Sequence, residues 1–115
     1  MPYGAVGAPP VDETPRSPEQ TIAAAQELLA AGRPFAAHET YEVAWKHRPD
    51  AERDLWQGLA QVCAGLTHAA RGNATGAARL IERGAERLTA YADGGGPTYG
   101  LDLPTVLAQA RSRLH

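Results

Sequence analysis

A single cysteine, Cys63, stands in a chain of 115 residues, so no intrachain disulfide can form. It lies in the apolar run Val62-Cys63-Ala64 and reads as a small core residue. Serine is scarce as well: Ser17 sits at a helix start and Ser112 in the last few residues. Nucleophilic catalysis therefore has no credible nucleophile. Lysine occurs once, as Lys46, and 11 Lys and Arg face 13 Asp and Glu, a formal charge of −2. With no basic footprint, no nucleic-acid partner is expected. No apolar stretch approaches the length of a membrane span, so no membrane partner is expected either. Met1-Pro2-Tyr3-Gly4 has neither a basic region nor an apolar run behind it, so it is not a signal peptide, and a cytoplasmic location is the expectation. Aromatic residues make up only 6%, with one Phe.

What is present is alanine and leucine for apolar mass, with much glycine, proline and arginine. A hydrophobic content of 43% with 21% charged residues is that of a globular chain. Residues 1–16 carry Pro2, Pro9, Pro10 and Pro15 without periodicity and read as a flexible N-terminal arm. Residues 17–115 read as a single helical domain. Ser17-Pro18-Glu19-Gln20 is a capping box with proline at the first helical position. Helix one runs to about Ala31 and stops at Gly32. Pro34 opens helix two, which reaches about Lys46 before Pro49. Asp50 is placed to cap helix three, which runs to about Ala70. Asn73 caps helix four, which reaches about Ala92, and Gly94-Gly95-Gly96-Pro97 is a break. Asp102 or Leu103 opens a last helix with Pro104 in its first turn. No segment reads as a strand. The fold class is all-α: a five-helix bundle of stacked antiparallel helix hairpins. Gly32 to Ala37 has the spacing of Gly72 to Ala77, and Glu42 follows the first as Glu82 follows the second, a faint internal repeat offset by 40 positions. Tetratricopeptide repeats share such small-residue crossings, but two units are too few for a solenoid and the period is not theirs.

On a helical wheel, Phe35, Ala37, His38, Tyr41, Glu42, Ala44 and Trp45 share one arc of helix two. His38 and Glu42 thus interrupt an apolar, core-facing stripe, and at a spacing of four they are neighbours. Between Asp54 and Arg71, helix three carries no charge with His neutral, which marks it as central. Leu55, Leu59, Val62 and Leu66 form its main stripe, while Gln57, Gln61, Ala64 and His68 form another. These polar groups need partners, and His38 and Glu42 are the candidates. The expectation is a polar pocket between helices two and three, walled by Tyr41, Trp45 and Trp56.

Phe35-Ala36-Ala37-His38-Glu39-Thr40-Tyr41-Glu42-Val43-Ala44-Trp45 resembles the signature F-x-x-H-E-x-x-E-x-x-W. Trp56-Gln57-Gly58-Leu59, Gln61, and His68 through Ala77 follow in order. From Ile22 to about Leu88 the chain thereby resembles domain-of-unknown-function family 309, a small all-α family. The resemblance implies a compact helical bundle and draws attention to His38, Glu39, Glu42, Trp45, Gln61, His68 and Asn73. The family carries the label of a predicted metal-dependent hydrolase, without an established activity.

Three readings of the cluster follow from its residue types. In the first, His38, Glu42 and His68 ligate a divalent metal, zinc or similar. Three ligands plus water is a catalytic arrangement, and Glu39 would be the general base. The H-E-x-x-E pattern departs from the zincin H-E-x-x-H at position 42. In the second, the cluster is a buried hydrogen-bond network: His38 pairs with Glu42 or Gln61, and an indole of Trp45 or Trp56 donates to Glu42 or Glu39. The function would then lie on the surface, as a helical-hairpin interaction module or a homodimer. In the third, Phe35, Tyr41, Trp45 and Trp56 line a groove for a small molecule or peptide, with His38 and Glu42 as the orienting polar groups and Gln57, Gln61 and Asn73 as further binding candidates.

Overall fold

The computed structural model describes residues 16–114. The expected flexible arm lies outside them, except for Arg16. Five α-helices follow in order: α1 (Pro18–Ala30), α2 (Pro34–His47), α3 (Arg53–Ala70), α4 (Ala74–Asp93) and α5 (Leu103–Ser112). There is no strand among the described residues. The all-α reading holds, with helix ends within one or two residues of those expected.

The helix boundaries follow from local chemistry. The Ser17 hydroxyl accepts from the Gln20 amide at 3.1 Å, and the Gln20 side-chain oxygen accepts from the Ser17 amide at 3.0 Å. This reciprocal pair completes the expected capping box. Helices α1 and α3 end alike. Arg33 N–H returns to Leu28 O and Gly32 N–H to Leu29 O; Asn73 N–H returns to His68 O and Gly72 N–H to Ala69 O. Both turns need a left-handed residue, and Gly32 and Gly72 have φ of 75° and 81°. The internal repeat is thus a repeated helix stop. Asn73 then caps α4, its side-chain oxygen accepting from Gly76 N–H at 3.0 Å. The α2–α3 junction departs from expectation. Asp50 does not cap α3; it opens a short 3-10 turn, Asp50–Glu52, and α3 begins at Arg53 without a side-chain cap. Pro49 stops α2, and the extended backbone at Arg48 redirects the chain before a full helical turn can form.

Helix α3 is central, packed chiefly on α4 and α2 and also touching α5. Its Leu55, Trp56 and Cys63 are among the largest fully buried side chains, with Ile81 and Leu88 of α4. The α3–α4 crossing is close because it is lined by small residues. A Cβ on Gly84 would lie 2.8 Å from the Gly58 carbonyl oxygen, and one on Gly65 would lie 3.0 Å from the Ala77 carbonyl oxygen. Gly58 therefore faces Gly84 and Gly65 faces Ala77, with a step of two helical turns on each antiparallel helix. Gly84 is the α4 glycine at this crossing. Gly76 serves the Asn73 cap instead. Arg79, Glu82, Arg83 and Glu86 form the solvated face of α4, and all four are exposed. Arg111 of α5 donates twice to Glu82, both at 2.8 Å, and ties the last helix down.

Candidate functional site

The α2–α3 seam assembles the sequence-derived site only in part. His38 Nε2 lies 3.4 Å from Glu42 Oε1, as their spacing of four requires. The pair is half-buried, with 22% and 40% of the two side chains exposed. Phe35 does not join the core. It is 51% exposed in the first turn of α2 and stacks on the His38 ring at 5.6 Å. Glu39 is exposed. His68, half-buried near the end of α3, has Nδ1 3.1 Å from the Asn73 amide nitrogen. Two polar atoms at the seam are buried without a partner, His38 Nδ1 and Gln61 Oε1. Gln57 faces the other way and accepts from Arg87 of α4 at 2.6 Å. Tyr41 and Trp56 do meet across the seam, with ring centroids 6.1 Å apart, while Trp45 packs half-buried against the core.

The most connected polar cluster lies at the other end of α2 and was not legible as a unit. Glu52, only 7% exposed, accepts from Arg48 at both oxygens, 3.0 Å each. It also accepts from the Trp56 indole at 3.1 Å and from the Tyr99 hydroxyl at 2.5 Å. Trp56 therefore serves Glu52, not Glu39 or Glu42 as the network reading expected. Arg48 also donates to the Tyr99 hydroxyl at 3.1 Å and lies over its ring at 5.8 Å. The Arg48 guanidinium holds the Glu52 carboxyl below its ordinary pKa against the opposing effect of burial, aided by Tyr99 and Trp56. Accepting that hydroxyl proton, Glu52 in turn raises the Tyr99 pKa. Arg48, Glu52 and Trp56 recur every four residues, and that comb was the one signal available. Tyr99 arrives from the α4–α5 loop, 47 positions from Glu52, with no local signature.

A third feature is a half-open apolar cleft between α1, α3 and α5, of about 410 Å³. Leu29 of α1, Leu59 and Leu66 of α3, and Val106 of α5 form its walls, above Tyr41 and Cys63. Burial pushes the Cys63 thiol up to about 12 and raises the Tyr41 hydroxyl as well, so both stay neutral. A smaller hollow of about 190 Å³, reaching Gly32 and Pro34, shares Leu29, Leu66 and Arg113 with it.

Among known families, one described as a domain of unknown function (DUF309) matches residues 22–80, just over half of the chain. The chain belongs to the DUF309 family. No curated protein and no solved structure matches it. The span matched to DUF309 contains His38, Glu42, Gln61, His68 and Asn73, together with Arg48, Glu52 and Trp56. Tyr99 and Arg113 lie beyond it. The three-ligand reading of His38, Glu42 and His68 calls for a divalent ion. Among the described residues no group of three or more His, Cys, Asp or Glu side chains is placed to hold a metal ion. His38 and Glu42 meet, but His68 is with Asn73, so the expected three-ligand set is not assembled. No helix of the described residues is long and apolar enough to cross a membrane.

Proposed function

We propose that this domain is a non-catalytic binding module whose ligand site is the cleft between α1, α3 and α5. The observation that carries the reading is the cleft itself: about 410 Å³, apolar-walled, with neutral groups beneath its floor. That volume falls within the range of small-molecule sites, which are mostly apolar with a few polar groups. The His38–Glu42 pair, with two ligating side chains and half-exposed, is a helix-stabilising contact on this reading. Gln61 Oε1 and His38 Nδ1 are buried without a protein partner, and buried polar atoms of this kind are ordinarily satisfied by water.

The test is binding of a fluorescent apolar dye by the full chain, with Leu66→Trp to fill the space. One dye per chain is expected, lost in Leu66→Trp with helical circular dichroism intact, and unchanged in His38→Ala. Dye binding indifferent to Leu66→Trp would overturn the proposal. So would stoichiometric zinc that disappears in His38→Ala and accompanies a hydrolytic activity.

A further inference from the structure

The cleft has a chemical asymmetry that narrows its ligand. Its lining includes one charged side chain, Arg113, and the adjoining hollow is lined by that same arginine and otherwise by apolar residues and glycine. Arg113 is exposed and has no ion pair among the described residues. The neighbouring Arg111 is engaged by Glu82, so Arg113 is the guanidinium left at the mouth. Gln26, Gln109 and Ser112 give the same rim neutral hydrogen-bonding groups. Beneath the floor lie the neutral Tyr41 and Cys63. The cleft is therefore apolar inside and cationic at one point of its rim, with no carboxylate among its described lining residues.

We infer that the cleft takes an amphipathic monocarboxylate, with its alkyl or aryl body between Leu29, Leu66 and Val106 and its carboxylate on Arg113. The inference rests on the binding-module reading above. A guanidinium presents a planar fork that matches a carboxylate with two parallel N–H donors. An amphiphile of the opposite charge would leave Arg113 facing a like charge, and a neutral one would leave its fork to water.

The experiment is calorimetric titration of the full chain with octanoate, 1-octanol and octylammonium, on wild type, Arg113→Gln, Arg113→Glu and Leu66→Trp. Octanoate should bind about tenfold more tightly than 1-octanol, the equivalent of about 1.4 kcal/mol for one charge-assisted contact at a rim. Arg113→Gln should erase that difference with 1-octanol affinity unchanged, and Arg113→Glu should reverse the preference toward octylammonium. Equal binding of octanoate and 1-octanol, with no effect of Arg113→Gln, overturns the carboxylate assignment and leaves the cleft as a binding site. If none of the three binds, or Leu66→Trp changes no affinity, the binding-module reading falls and this inference with it.

Discussion

Removing the Glu52 carboxylate is the sharpest way to test which polar cluster holds this fold. Glu52→Ala deletes one acceptor group that serves three residues: Arg48 of the α2–α3 junction, Trp56 of α3 and Tyr99 of the distant α4–α5 loop. The Trp56 indole N–H, in a residue with no exposure, is then left unpaired; an unsatisfied buried donor costs roughly 1–3 kcal/mol. Arg48 also loses its bidentate partner. A fully buried pair broken on one side costs about 3–5 kcal/mol, but the Arg48 side chain is 27% exposed and can turn to water, which discounts that figure. The Tyr99 hydroxyl is half-buried and regains water as well. Together these place the loss at about 3 kcal/mol, equivalent to a fall in Tm on the order of 12 °C for a chain of this size. Glu42→Ala, removing a half-exposed i,i+4 partner, should cost no more than about 1 kcal/mol. Urea denaturation followed by circular dichroism and tryptophan fluorescence measures both. A Glu52→Ala loss within about 0.5 kcal/mol, or a Glu42→Ala loss larger than it, would refute the reasoning.

The same carboxylate gives a pH signature. Its folded pKa lies below the ordinary value of 4.5, so its stabilisation is complete above that value and fades as pH falls through the depressed one. Stability should decline more steeply below about pH 4 in wild type than in Glu52→Gln, seen as thermal midpoints across pH 2–6. At the α3–α4 crossing, Gly84→Ala puts a Cβ 2.8 Å from a backbone oxygen of Gly58, which cannot swing aside. It should destabilise by about 1–3 kcal/mol in urea titrations, the range of overpacking. Cys63, 1% exposed and with its thiol pushed up to about 12, should not react with an aromatic disulfide reagent at pH 8 until denaturant is added. Rapid labelling of the native chain would contradict its burial.

Much of the architecture was legible because it rests on short-range chemistry. The Ser17 box, the Gly32 and Gly72 stops and the break at Gly94-Gly95-Gly96 are each decided within a few residues. The charge-free stretch of α3 marked the central helix because an unpaired charge there would have been buried on several sides. The site was less legible. His38 and Glu42 share an arc of α2, but an arc defines a direction, not a depth, and the pair proved half-buried. Phe35 shares that arc too, yet at the first turn of α2 it has no helix over it and stays exposed.

By itself, then, the sequence determined the helices, their stops and their antiparallel order, because capping, left-handed glycines and apolar periodicity act over a turn or two. Only the tertiary structure decided which polar groups meet. Arg48 and Glu52 are joined to Tyr99 by packing of the α4–α5 loop, and Arg113 is brought to the mouth of the cleft by α5 lying across α3 and α4. Both groupings join residues far apart in the chain, and such contacts are set by how helix faces bury one another rather than by any local spacing.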